Sequence, residues 1–306
     1  MNLLRIHARR DLEKSWRWDA HPDIMSRIAL RFYAVVFLFR YLKFFAPGFL
    51  PLPSAEVCLT TRCTLRCRDC ANRAQFYGSP WRQHFDYDSK TLLRDLDSLL
   101  ASVSEIGRIR LMGGETFLYP DLPEIILFLS RSEKVHTVNI VTNGTIMPSD
   151  EVFTCIKETG TTVTISDYGS LSAKKEQIVA ELEKRGIEYN IDFTDGAWCD
   201  AGSHEPRGRT PKELRRLYHA CGIAIYCKHI VNGRIYACSI AAHLDNLELK
   251  PDDPAESVNL RQPAGPLRRD LKRMLSLDYI SSCDHCDMPL CRPLKVAEQL
   301  KPGEYL

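Results

Sequence analysis

No charge of either sign dominates this 306-residue chain. Lys and Arg number 41 against 39 Asp and Glu, a formal net charge of +2. That balance excludes a nucleic-acid binder working by bulk charge. Gly (16) and Pro (17) are not enriched, which excludes collagen-like and low-complexity chains. Long hydrophobic runs are missing too. The most apolar segment, Phe32 to Phe39, sits between Arg31 and Arg40, well short of the roughly 20 residues that cross a membrane. The first residues, MNLLRIHARRDLEKSWRWD, contain no apolar signal core. What is plentiful is cysteine, at 12 residues. A chain of this length needs no disulfide staples, so the cysteines are read as metal-bound thiolates in a reducing cytoplasm.

Across 25–42, Met25, Ile28, Ala29, Phe32, Val35, Val36, Phe39 and Leu42 recur at helical spacing, flanked by Arg27, Arg31, Arg40 and Lys43. This predicts a helix packed on the main domain; membrane-surface contact is not favoured. Residues 1–53 are read as a helical N-terminal extension. Strands are expected at Glu56–Thr60, Arg108–Met112, Thr137–Thr142, Thr162–Ser166 and Glu188–Phe193, with helices near 89–104, 121–131, 149–159 and 172–185. Such alternation makes parallel βαβ units, which close or partly close an α/β barrel with its chemistry at the carboxyl ends of the strands. The pattern breaks near 194 in a polar loop whose Asp195, Trp198, Asp200, His204, Glu205 and Arg207 could bind a polyhydroxylated substrate. A short helix over 211–219 follows, then a hairpin over 228–238. Asn232-Gly233 at its centre is a type I′ turn signal. A further helix is expected over 262–280.

Cys63, Cys67 and Cys70 form C-x3-C-x2-C just after the first strand. Three thiolates on a short loop can hold three irons of a [4Fe–4S] cluster and leave one open; zinc prefers four closed ligands. The second strand runs into Gly113-Gly114-Glu115. A Gly pair lets the backbone approach a ligand. Glu115 is expected to be an exposed carboxylate able to receive an ammonium group.

Together these motifs resemble the radical S-adenosylmethionine (SAM) superfamily over roughly 54–200. The resemblance implies a cluster on Cys63, Cys67 and Cys70 and contact of Gly113, Gly114 and Glu115 with the methionyl amine. It also implies reductive cleavage of SAM to a 5′-deoxyadenosyl radical that removes a substrate hydrogen. Asn143 and Ser166, at the ends of the third and fourth strands, stand where such barrels face SAM. Asp69 stands where the family usually has an aromatic residue.

Cys221, Cys227, Cys238, Cys283, Cys286 and Cys291 follow the barrel. Cys221, Cys238, Cys283 and Cys286 resemble the ligands of the SPASM/twitch subfamily, whose twitch form holds one auxiliary [4Fe–4S] cluster; a zinc ribbon is the alternative. The implied division is 1–53, a radical SAM core over 54–210 and a SPASM/twitch domain over 211–306. Counting back from the turn puts Cys227 opposite Cys238, beside the auxiliary site. Either Cys227 or Cys291 could be a thiol that returns a hydrogen atom.

The short chain with one auxiliary site resembles the carbohydrate branch of the subfamily. That implies dehydrogenation or epimerisation of a sugar or aminocyclitol-type substrate, with an electron donor such as flavodoxin or ferredoxin. A peptide-modifying enzyme and a non-catalytic iron–sulfur protein remain the alternatives.

Overall fold

The computed structural model describes residues 48–79, 82–193, 198–202, 205–290, 292–301 and 303–304. The helix expected over 25–42 and the donor role of Cys291 lie outside the described residues.

Five parallel strands form in the expected order: β1 (Ala55–Thr60), β2 (Ile109–Gly113), β3 (Val138–Thr142), β4 (Thr162–Asp167) and β5 (Tyr189–Phe193). Helices α1 (Ser89–Ser102), α2 (Leu122–Ser130), α3 (Asp150–Thr159) and α4 (Lys175–Arg185) alternate with them. Their limits follow local chemistry. Asp88 caps α1 by accepting from Thr91 N at 2.9 Å, and α3 stops at Gly160, whose φ of 66° suits glycine. The fourth helix starts at Lys175 rather than Ser172, because Ser172 turns its hydroxyl onto the Asn143 carbonyl at 2.7 Å.

After β5 come α5 (Pro211–Ala220), α6 (Gly222–Tyr226), β6 (Lys228–Val231), β7 (Arg234–Tyr236), α7 (Ser239–Asn246), β8 (Ser257–Asn259) and α8 (Ala264–Leu275). Asn232 (φ 48°) and Gly233 (φ 77°) make the expected hairpin turn, with Val231 paired to Arg234. The hairpin joins the main sheet: β6 pairs in parallel with β1, giving the order β8-β7-β6-β1-β2-β3-β4-β5. Among the described residues β5 and β8 do not pair, so the sheet is open. Pro51–Leu52, read from sequence as part of a helical extension, is instead a short strand paired in parallel with Glu105–Ile106. Proline lacks the N–H that a helix interior needs.

The two faces of the sheet differ. Val57, Leu59, Ile109, Leu111, Ile140, Val163, Ile165 and Ile230 are fully buried and belong to the main apolar core with residues of α1 to α4 and α8. Several of the alternate positions are polar. His229, Glu56, Arg110 and Asn139 are successive partners across β6, β1, β2 and β3, which places them in one row. A strand buried on both faces is ordinarily apolar throughout; a buried polar row is a departure from that rule.

Candidate functional site

The C-x3-C-x2-C loop leaves the carboxyl end of β1 and packs on the end of β2. A Cβ on Gly113 would stand 2.2 Å from Thr60 O; on Gly114 it would stand 2.2 Å from Arg62 O and 2.9 Å from the Cys63 Cβ. The glycines therefore admit the cysteine loop's own backbone, and Gly114 N and Glu115 N donate to Thr60 O and Arg62 O, each at 2.8 Å. Each thiol of the loop faces a donor. Leu65 N reaches Cys63 Sγ at 3.4 Å, and Gln299 Nε2 reaches Cys67 Sγ at 3.1 Å. Backbone N–H groups of Asn72, Arg73 and Ala74 face Cys70. Burial pushes the Cys63 thiol up to about 12 and Cys67 up to about 11. Buried thiols ringed by N–H donors suit thiolates bound to iron.

Glu115 is not the exposed carboxylate expected from sequence. It is fully buried, accepting from Thr142 Oγ1 at 2.8 Å, Asn143 N at 2.8 Å and Phe117 N at 3.0 Å. Burial pushes its pKa up against these hydrogen bonds. Two of its three donors, Thr142 and Asn143, come from the end of β3. Asn143 follows at once: its Nδ2 lies 3.5 Å from Cys63 Sγ and 3.2 Å from Thr64 Oγ1. Ser166 lies at the same edge, near the end of β4, where its carbonyl accepts from Ser172 Oγ at 3.2 Å.

Cys221, Cys238, Cys283 and Cys286 line one cavity with Leu217, Ile240 and Ile280. Cys221 and Cys238 cap α6 and α7, accepting from Ala224 N at 3.5 Å and Ala241 N at 3.4 Å, while Cys286 accepts from Met288 N at 3.4 Å. A helix start favours a thiolate. Four convergent thiols with apolar walls and N–H donors fit a four-cysteine metal group. Arg209 clamps the Cys283–Cys286 segment: its Nη1 donates to Cys283 O at 2.7 Å and Cys286 O at 2.9 Å, and its Nη2 pairs with Asp287. Arg207 pairs with the same Asp287 at 2.9 Å. The polar loop's arginine is thus engaged inside the protein rather than offered to a substrate. Asp195 and His204 lie outside the described residues.

Cys227 does not stand beside Cys238 as the hairpin count suggested. Pairing ends at His229–Tyr236, before the cysteines. Cys227 instead hydrogen-bonds Glu56, and its thiol is pushed up to about 12 by burial and by that carboxylate. Lys228, one residue on, takes the cysteine-lined side: its buried Nζ donates to Ala237 O at 3.1 Å and to Ala224 O, within electrostatic reach of Cys238 and Cys221. Strand alternation explains the exchange, since neighbours point to opposite faces. Glu56 also meets Arg110 at 3.1 Å and His229 Nδ1 at 3.4 Å. Burial works to raise its pKa, but these partners outweigh it and hold the carboxyl below the ordinary range. Between the two thiol sets lies buried Arg73, within electrostatic reach of Cys70 and Cys286. Sequence reasoning missed Arg73, Glu56 and Arg209, because an isolated charged residue carries no signal of burial.

The family model described as the Radical SAM superfamily matches residues 57–166. The chain is similar to GTP 3′,8-cyclase of Aquifex aeolicus (strain VF5), at 30% identity over 146 residues, 46% of this chain and 43% of that protein. GTP 3′,8-cyclase of Acidothermus cellulolyticus is 30% identical over 99 residues, 32% of this chain and 27% of that protein. The chain spans less than half the length of these curated relatives. Among solved structures, BtrN in complex with AdoMet and 2-DOIA is 17% identical over 77% of this chain and 93% of that one, with a TM-score of 0.47. Native anSMEcpe with bound AdoMet is 15% identical over 71% and 80%, with a TM-score of 0.46. The matched residues 57–166 carry both the C-x3-C-x2-C loop and the Gly-Gly-Glu edge.

Proposed function

We propose that the chain is a radical SAM enzyme of the SPASM/twitch type that inverts a carbon of a sugar or aminocyclitol-type substrate. Cys63, Cys67 and Cys70 would hold one [4Fe–4S] cluster, and Cys221, Cys238, Cys283 and Cys286 a second. Gly113, Gly114, Glu115, Asn143 and Ser166 form the edge at which SAM would sit. When bound, the first cluster and SAM supply a 5′-deoxyadenosyl radical that takes a hydrogen atom from the substrate.

The observation that carries the reading is Cys227. It is half-buried, protonated at neutral pH and turned to Glu56, away from the four-cysteine set. Such a thiol can give a hydrogen atom to a substrate carbon: the S–H bond breaks, a C–H bond forms, and one electron from a flavodoxin- or ferredoxin-type donor with one proton from solvent restores the thiol. Arg110, partly exposed beside Glu56, supplies a hydrogen-bonding group for a polyhydroxylated molecule.

A second reading comes from the relatives named GTP 3′,8-cyclase, which favour a nucleotide substrate and a cyclisation over a carbohydrate. Arg110, partly exposed beside Glu56, could then serve a phosphate.

The test uses anaerobically reconstituted protein with dithionite and SAM in deuterium oxide, offered a panel of aminocyclitols, aminoglycosides, peptides and GTP. Iron near eight per chain supports two clusters; four, with a zinc whose ligand shell is all sulfur, leaves the second set a zinc site. Deuterium in an inverted product, lost in Cys227→Ala while 5′-deoxyadenosine still forms, supports the epimerase. A product two hydrogens lighter means dehydrogenation, turnover of GTP alone means the nucleotide reading, and no 5′-deoxyadenosine means a non-catalytic protein.

A further inference from the structure

Outside both cysteine sets, three buried donors from distant parts of the chain meet. Cys58 lies on β1, His229 on β6 and His243 on α7, and one ligand atom from each lies within 4.8 Å of the others. Their exposures are 1%, 0% and 1%. The Nε2 atoms of both histidines are buried and lack any hydrogen-bond partner. Buried polar atoms are nearly always partnered, so two orphaned nitrogens on the rings of one compact cluster call for an occupant.

The other ring nitrogens are already held. His229 Nδ1 faces Glu56 Oε2 at 3.4 Å, and His243 Nδ1 faces the Tyr77 hydroxyl at 3.2 Å. Tyr77 is held in turn by Asn246 Nδ2 at 2.9 Å. A carboxylate or hydroxyl on one nitrogen of each imidazole, leaving the other nitrogen free, is how metal-binding histidines are held. The rings are tilted by 59° with centroids 4.9 Å apart, so they converge rather than stack flat. Burial, with His229 and Arg73 nearby, keeps His243 neutral, the form that ligates.

We propose that Cys58, His229 and His243 bind a zinc-class divalent cation, with two imidazole nitrogens, one thiolate and a fourth position left to water or a substrate oxygen. Three protein ligands with an open place are the pattern of a zinc site that does chemistry rather than one that only braces a fold. The proton displaced from Cys58 leaves to solvent. The cation ties β1 to β6 and α7, and its excess positive charge faces Glu56. The site goes beyond the SAM chemistry proposed above and does not depend on it.

The test is metal analysis of the full chain with its iron–sulfur content intact, loaded with zinc chloride and then treated exhaustively with EDTA. About one zinc per chain should remain, and its extended X-ray absorption fine structure should show one sulfur and three nitrogen or oxygen neighbours, two of them imidazole nitrogens. Cys58→Ser and His243→Gln should each lower retained zinc at least tenfold with unchanged iron and circular dichroism. Should either variant fail to fold, the wild-type absorption spectrum alone decides. An all-sulfur shell would place the zinc in a cysteine set and overturn the proposal. So would no retained zinc, or retention undiminished in folded variants.

Discussion

Gln299 donates its side-chain amide to the Sγ of Cys67, 232 residues earlier, at 3.1 Å. The same side chain accepts from Arg66 N at 2.8 Å, while Leu300 N reaches Arg66 O and Arg68 N reaches Glu298 O, both at 2.8 Å. Residues 298–300 thus lie as a strap on the first cysteine loop. A donor on a cluster sulfur stabilises the more negative, reduced state.

Gln299→Leu should lower the midpoint potential of the cluster on Cys63, Cys67 and Cys70. A net hydrogen bond of about 1 kcal/mol corresponds to about 40 mV for one electron. Potentiometric titration followed by electron paramagnetic resonance reads the shift. An unchanged potential at full iron content would show that the contact has no electronic effect.

Gly114→Ala should disturb the cysteine loop while sparing the sheet. The added methyl would meet Arg62 O at 2.2 Å, a backbone atom with no rotamer to yield. Overpacking of this kind costs about 1–3 kcal/mol. The expected result is loss of about half the iron with a far-ultraviolet spectrum like the wild type. Full iron retention would refute the close approach.

Arg209→Met should release the other cysteine set. It removes the donors to Cys283 O and Cys286 O and leaves Asp287 with Arg207 alone. Hydrogen bonds from a charged group are worth about 1.5–3 kcal/mol each when buried. Iron bound by Cys221, Cys238, Cys283 and Cys286 should become labile to chelator, whereas iron on the first loop persists. Equal loss from both sets would mean a general unfolding instead.

Glu115 gives a pH dependence with a definite sign. Burial raises its folded pKa above the ordinary 4.5. The folded state therefore holds the proton longer than the unfolded chain. The stability this contributes is complete below 4.5 and is lost as pH rises through the folded value. Relative to Glu115→Gln, which does not titrate, SAM-free wild type should gain stability as pH falls from 7 and stop gaining below 4.5. Denaturant melts of both proteins across that range check it; a difference that is flat or of opposite slope rejects the buried-carboxylate account.

The local chemistry of the chain was legible by itself. Strand–helix alternation marked β1 to β5, Asn232-Gly233 set the hairpin, and C-x3-C-x2-C brings three thiols onto one loop by spacing alone. Each depends on residues a few positions apart, so backbone geometry decides it without the rest of the fold. The fate of Glu115 was not legible, because its burial depends on Thr142 and Asn143 arriving from β3. Cys227 was misplaced for a related reason: the register was read correctly, but the ladder stops at Tyr236 and pleating turns Cys227 to Glu56. The meeting of Cys58 with His229 and His243 requires β6 to dock beside β1 and α7 to fold over the same face. No spacing rule encodes such a meeting. It follows from burying the apolar faces of strands far apart in sequence against one core, and only the finished sheet order decides which polar side chains are left to face one another.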